Sequence, residues 1–388
     1  MAIRLALDYG ERPYPAVFPN GTQVVVAPTP VEPAPLLESL MESALDHPVE
    51  APRLEDRVRV GQRVLVVVSD GARREPRDAL VRAVLARLPS EVTFSIAVAT
   101  GTHAPCDIAE LGLGDDLLAR AREIVMHDGR DEDRLVQLGT TRRGTPVVIN
   151  RALLEADLVV ATGCIIPHYF AGYGAGIKAI FPGLGGAREI RVNHELKAEP
   201  GARAGVVEGN PCREDLDEVA SLLPAPPFLL NLVVDDDGVA RAAVAGDVRA
   251  GFRAGAVLCE PLYRVRAPRS ACVVVSGRGP VTSSLYQASK LVAAAAPLVA
   301  PGGSVVLVAE CGQGVGPLDV VNRGIYEIGI RPRLPADHRV VLVSALAPEV
   351  VATTYCQHAV SLESALEDLE APPLVLPRAG SLLCEASG

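Results

Sequence analysis

Short apolar runs rich in valine recur along the chain. Between them, apolar residues fall three and four positions apart. The run Arg63-Val64-Leu65-Val66-Val67-Val68 shows no polar alternation and reads as a strand buried on both faces. Residues Pro76 to Leu88 follow with helical spacing and a proline in the first turn, where its missing N–H costs nothing. Val92 to Ala99 is the next predicted strand. Asp157-Leu158-Val159-Val160-Ala161 is another, preceded by a helical turn from Asn150 to Glu155. Phe228 to Val234 reads as a strand closed by the turn Asp235-Asp236-Asp237-Gly238. Such strand–helix alternation predicts an α/β fold built on mostly parallel sheet flanked by helices.

The alternation breaks between residues 260 and 270, where Pro261 and Pro268 surround a basic run, Arg264, Arg266 and Arg269. It then resumes. Cys272 to Val275 is a predicted strand and Ser284 to Leu298 a helix. Strands follow at Ser304 to Ala309 and at Val340 to Val343. Ser361 to Leu369 is a helix with a serine N-cap. Two domains are therefore expected, 1–262 and 268–388, each a mostly parallel sheet flanked by helices. The last residues are free to pack back on the first domain, and an active site is expected in the crevice between the two. Ligands of open α/β sheets bind beyond the carboxyl ends of strands. Asp70, His103 and His168 each follow a predicted strand end.

Composition narrows the function classes. Apolar residues make up 49% of the 388 positions, while aromatics are 4% and tryptophan is absent, so valine, leucine and alanine fill the cores. The formal charge of −10 disfavours nucleic acid and anionic membrane as partners. A small anionic substrate is still open, because a local arginine or lysine clamp overrides the net field. No apolar run reaches the roughly 18 residues of a membrane span, and the N-terminus has no apolar signal core. None of the eight cysteines forms a CxxC pair, and several lie in apolar runs such as Ala271-Cys272-Val273. Reduced, buried cysteine in a cytoplasmic protein is the expectation.

The chemistry concentrates between Gly163 and Leu196. Gly163-Cys164-Ile165-Ile166-Pro167-His168-Tyr169-Phe170-Ala171-Gly172-Tyr173-Gly174-Ala175-Gly176-Ile177-Lys178-Ala179-Ile180-Phe181-Pro182-Gly183 is followed by Arg191-Val192-Asn193-His194, holding two of the chain's seven histidines. Glycines let backbone approach a ligand. An apolar wall favours the neutral, nucleophilic form of a lysine. Read alone, Lys178 is either a loop lysine with a buried stem or a Schiff-base nucleophile, and His194 either a helix histidine or a ligand. His103, in Gly101-Thr102-His103-Ala104-Pro105, reads as a loop histidine or an acid/base group. Asp70 and Arg73, in Ser69-Asp70-Gly71-Ala72-Arg73-Arg74-Glu75-Pro76, read as a cap with solvated arginines or as a carboxylate-binding pair. Gln287 and Lys290, in Tyr286-Gln287-Ala288-Ser289-Lys290, share a helix face.

These segments resemble the nickel-pincer nucleotide-dependent lactate racemase family, whose members invert the stereocentre of 2-hydroxy acids. In that family a histidine base precedes the cofactor-bearing lysine by ten residues, and a nickel-binding histidine follows sixteen residues later. His168, Lys178 and His194 keep both offsets. Pro-His, Ile-Lys, Phe-Pro-Gly and Asn-His around them also match, and the likeness runs from about residue 60 to about 320. The resemblance implies that His103 and His168 are the two acid/base groups, one for the hydroxyl of each enantiomer. It implies that Lys178 carries a pyridinium bisthiocarboxylic acid mononucleotide whose nickel takes His194 as a protein ligand. Gly174 and Gly176 would cradle its phosphate through their amides. Asp70, Arg73, Tyr286, Gln287 and Lys290 would bind the substrate, a small 2-hydroxy carboxylate, and separate maturation proteins would supply the cofactor.

Three departures stand out. Ala72 replaces a family threonine, and Arg74-Glu75 separates Arg73 from the proline, leaving Arg73 and Arg74 as rivals for the substrate carboxylate. Gly174-Ala175-Gly176 stands where Ser-Gly-Gly is commoner. Gly209-Asn210-Pro211-Cys212-Arg213-Glu214-Asp215 also matches, with no mechanistic role. Two other readings are a zinc-dependent hydrolase using some of His103, His168 and His194, and a non-catalytic carrier of the nucleotide. The widely spaced histidines lack a His-x-x-x-His metal motif, which weighs against the hydrolase.

Overall fold

A computed structural model describes residues 2–387. They divide into two compact units. Pro30–Pro261 forms the first, and the segments ending at Thr29 and beginning at Leu262 form the second.

The first unit is built on six strands: β1 Arg63–Ser69, β2 Thr93–Ala99, β3 Ile124–Met126, β4 Leu158–Ile165, β5 Phe228–Val234 and β6 Ala240–Asp247. Their order across the sheet is β6-β5-β4-β1-β2-β3, parallel except for β6, which closes the edge as the antiparallel partner of β5. The helices of this unit include α1 Arg77–Leu85, α2 Ala187–Glu195, α3 Pro211–Leu222 and α4 Ala250–Cys259. Alternate strand residues share a face. Val64, Val66 and Val68 of β1 and Ile96 and Val98 of β2 accordingly join one core with Leu80, Val81 and Val84 of α1. Each such side chain contributes about 1.5–3 kcal/mol on burial, and this layer holds the strand ends that carry the site.

The second unit has strands β7 Ser270–Val275, β8 Val299–Val308, β9 Arg339–Val343, β10 Gln357–Ala359 and β11 Leu374–Leu376, with helix α5 Leu285–Ala295. Its parallel order is β10-β9-β8-β7-β11, extended by the strand Gln23–Val24, which pairs with Leu374 and Val375. The chain changes units between Pro261 and Leu262. The segment up to Thr29, expected in the first domain, belongs to the second instead. The physical reason is this strand pairing, made across some 350 residues, which no local pattern announces. The chain end also stays in its own unit, since Leu383–Ala386 pairs with Arg264–Ala267. Among the described residues no helix is long and apolar enough to cross a membrane.

Candidate active site

Strands β1 and β2 lie side by side in parallel, with Ser69 opposite Ala99 at their carboxyl ends. That register sets Asp70, the residue after β1, beside the loop that carries His103. A turn closed by His103 N–H on the Thr100 carbonyl, at 3.0 Å, points the imidazole back toward β1. His103 Nδ1 and Asp70 Oδ2 are 2.5 Å apart. The Asp70 side chain is 6% exposed and that of His103 44%, so a buried carboxylate fixes a ring whose other side meets solvent. With Nδ1–H donated to Asp70, the lone pair lies on Nε2, the arrangement of a general base. Asp70, expected among the substrate-binding residues, thus already uses one oxygen to orient His103. Of the three neighbouring arginines, Arg73 and Arg74 are exposed and Arg77 is buried. Arg77 donates to the carbonyls of Ser69 at 2.8 Å, Arg73 at 2.6 Å and Asp70. It shapes the loop, and both candidate clamps are left on the surface.

After β4, Pro167–His168 pairs antiparallel with Gly172–Tyr173. The bend between them requires glycine at 172: φ is +74°, and a Cβ there would lie 2.2 Å from the Val206 carbonyl oxygen. At the tip sits Phe170, buried at 1% exposure. Its ring centroid is 4.6 Å from that of His168 and 5.0 Å from that of His194, both edge to face, and 5.7 Å from Lys178 Nζ. One aromatic ring therefore gathers the three residues that the sequence spacing singled out. The Ala171 amide donates to His168 Nδ1 at 3.3 Å, placing the proton of the neutral ring on Nε2. His194 lies in the last turn of α2.

Lys178 sits in the short helical turn Gly176–Ala179. The glycines before it do not act as expected. The Gly174 amide donates to the Ile166 carbonyl at 2.8 Å, and the Gly176 amide donates to Asn231 Oδ1 at 2.9 Å. Both N–H groups are already engaged, so neither cradles a phosphate. Gly176 answers a packing need: φ is +64°, and a Cβ would come within 2.7 Å of the Phe252 ring. Asn231, a polar residue in the otherwise apolar strand Phe-Leu-Leu-Asn-Leu-Val-Val, is the partner that fixes this turn, and it was not singled out from sequence.

The two groups of residues are stitched together. Gly101 N–H in the His103 loop donates to the Gly183 carbonyl at 2.8 Å, and Gly183 N–H donates to the Lys178 carbonyl at 2.9 Å. Beneath them His127 is fully buried. One ring nitrogen bonds the Gly185 carbonyl at 2.9 Å and the other Asn150 Nδ2 at 3.2 Å, and burial pulls its pKa below the usual 6.5.

In the second unit, Ser284 caps α5. Lys290 Nζ donates to Gln287 Oε1 at 2.5 Å and stands 5.8 Å from the centre of the Tyr286 ring. The helical spacing therefore does bring these three side chains together. Burial raises the Tyr286 pKa above its ordinary 10.

Among the described residues no three His, Cys, Asp or Glu side chains gather as ligands for a metal ion, so His103, His168 and His194 do not form a zinc site. What the Phe170 cluster offers is one amine and two imidazoles, those of His168 and His194. That donor set fits a group that attaches to a lysine and brings most of its metal's ligands with it; imidazole suits nickel as the remaining one.

The molecule is thus an α/β protein with an aspartate-backed histidine and a lysine–histidine cluster at neighbouring parallel strand ends. A family profile described as the lactate racemase N-terminal domain matches residues 9–205, half of the chain. The chain belongs to this family. It is 29% identical over 339 residues to the lactate racemase of Thermoanaerobacterium thermosaccharolyticum, covering 79% of each chain. To that of Lactiplantibacillus plantarum it is 28% identical over 363 residues, 85% of each. The apoprotein structure of the Thermoanaerobacterium enzyme superposes with a TM-score of 0.86 at 26% identity, covering 98% of this chain and 100% of that one. A Thermotoga maritima protein shares the fold, with a TM-score of 0.70 at 18% identity over 92% of this chain.

Proposed function

We propose that this protein is a racemase or epimerase of a 2-hydroxy acid, working with a nickel-pincer nucleotide attached to Lys178 and ligated by His194. The observation that carries this reading is the gathering of His168, Lys178 and His194 around Phe170. When bound, the nucleotide supplies the acceptor and donor for the hydrogen at C2. The chain's own groups handle the rest. His103 takes the hydroxyl proton at Nε2 while Asp70 holds its Nδ1–H. His168 serves the opposite enantiomer once its ring releases the 3.3 Å contact from the Ala171 amide and carries its proton on Nδ1, which frees Nε2 as the base; whichever histidine carries the extra proton returns one to the oxygen. Arg73 or Arg74 forks the carboxylate. Maturation proteins supplying the nucleotide and a cytoplasmic location belong to the same proposal.

The test is intact-mass and nickel analysis of protein co-expressed with the cofactor's maturation enzymes. A mass increment lost in Lys178→Arg, with about one nickel per chain, is expected. An unmodified, nickel-free chain from a host that loads a known family member overturns the reading. Loaded His103→Ala and His168→Ala variants then separate a racemase, which they inactivate, from a nucleotide carrier, which they leave loaded and unchanged.

A further inference from the structure

The segment Gly209-Asn210-Pro211-Cys212-Arg213-Glu214-Asp215 opens α3 and has so far been given no task. Asn210 Oδ1 caps the helix, accepting from the amides of Cys212 at 3.1 Å and Arg213 at 3.2 Å. Its Nδ2 faces the other way and donates to the Phe170 carbonyl at 2.8 Å. Arg213 is 1% exposed; its Nη2 donates to the Tyr173 carbonyl at 2.5 Å and the Ala171 carbonyl at 3.3 Å. Its guanidinium lies 3.9 Å from the centre of the Phe252 ring, the same ring against which Gly176 packs. Asp215, also 1% exposed, accepts from Thr145 Oγ1 at 2.7 Å, from Asn193 Nδ2 at 2.8 Å and from Thr141 Oγ1. Asn193 is the residue before His194.

A helix that only had to pack would bury apolar side chains here. Burying a guanidinium and a carboxylate instead costs several kcal/mol each unless bonds recover it. The bonds made are not scattered. Two of the three side chains grip the hairpin through the carbonyls of Phe170, Ala171 and Tyr173, and the third holds the neighbour of His194. We infer that Asn210, Arg213 and Asp215 form a clasp that fixes the His168 hairpin and the His194 helix turn in one frame, making them positioning residues for the two imidazoles. Orienting partners of this kind set the aim of a ligand or base without touching what it binds. The catalytic meaning of the clasp rests on the function proposed above; the clasp itself does not.

The experiment uses the full chain without nucleotide, labelled with carbon-13 in its histidine rings. The seven ring signals are assigned by single His→Gln changes. Asp215→Asn is expected to move the His194 signal and Arg213→Lys the His168 signal, while His103, held by Asp70, stays in place. Asn193→Ala removes only the last link and is expected to move His194; it decides the matter if Asp215→Asn does not fold. Unmoved His168 and His194 signals in folded variants overturn the inference. So does a shift of His103 along with them, which marks general loosening. In loaded protein, Asp215→Asn is expected to keep the mass increment on Lys178 and retain less nickel per attached nucleotide. Wild-type protein that never takes up nucleotide defeats the proposed function, and the histidine signals still decide the clasp.

Discussion

Replacing Asp70 by asparagine separates the chemistry of the His103 loop from its stability. The carboxylate accepts from His103 Nδ1 at 2.5 Å, and its side chain is only 6% exposed. Asparagine keeps the shape but weakens a charge-assisted hydrogen bond. Such bonds contribute about 1.5–3 kcal/mol. At 1.36 kcal/mol per tenfold, loss of orientation and of the Nδ1–H tautomer lowers kcat/KM by about 10- to 150-fold. Enantiomers have equal free energy, so the fall in kcat/KM must be the same in both directions of a racemisation, while kcat and KM are free to divide it differently. Folding should not suffer. The second oxygen, Oδ1, is buried without a hydrogen-bond partner, an uncompensated cost that a neutral amide lessens. The assay is racemisation of the identified 2-hydroxy acid from both enantiomers by nucleotide-loaded protein, beside a thermal melt. Wild-type kcat/KM in Asp70→Asn refutes the positioning argument. A parallel collapse of the melting temperature would show the aspartate to be structural.

Asn231→Leu leaves the Gly176 amide without its 2.9 Å partner and should cost about 1–3 kcal/mol in denaturant unfolding; an unchanged midpoint contradicts this. Gly176→Ala should cost at least about 1–2 kcal/mol for a positive φ and must displace Phe252. Gly174→Ala, whose new methyl would meet nothing closer than 3.7 Å, should be tolerated, and equal losses in the two variants would contradict the packing account. Burial holds His127 below the usual 6.5, so the folded state favours the neutral ring. Its stabilising effect is present above about pH 6.5 and fades as pH falls toward the lowered pKa. Melts from pH 5 to 8 should show a steeper acid loss in wild type than in His127→Gln, and superimposable slopes would remove the assignment.

The apolar runs made the sheets legible because parallel strands buried on both faces leave little room for polar residues. The cluster was legible through the family resemblance, whose two offsets around Lys178 this chain keeps; read alone, Lys178 and His194 stayed open. What stayed hidden was relational. The pairing of Gln23–Val24 with Leu374 and Val375 joins positions far apart in the chain, and each partner is too short to stand out. Gly174 and Gly176 read as a phosphate cradle because sequence reports glycine but not which carbonyl or side chain its amide already meets. Asp70 read as a substrate contact because the register of β1 and β2, not the motif, brings it to His103. Phe170 and Asn231 did leave faint marks: an aromatic between two candidate residues in a chain with 4% aromatics, and one amide in an apolar strand.

The strands that end at Asp70, His103 and His168 are β1, β2 and β4, and none of them lies at an edge of its sheet. Fraying begins at edges, so β3 and β6 can open while the site strands stay paired. The site then disappears only when the whole first unit unfolds. Anything held there draws its grip from the global equilibrium, and its binding should slow amide exchange across the central strands of the unit as well as in the loops that touch it.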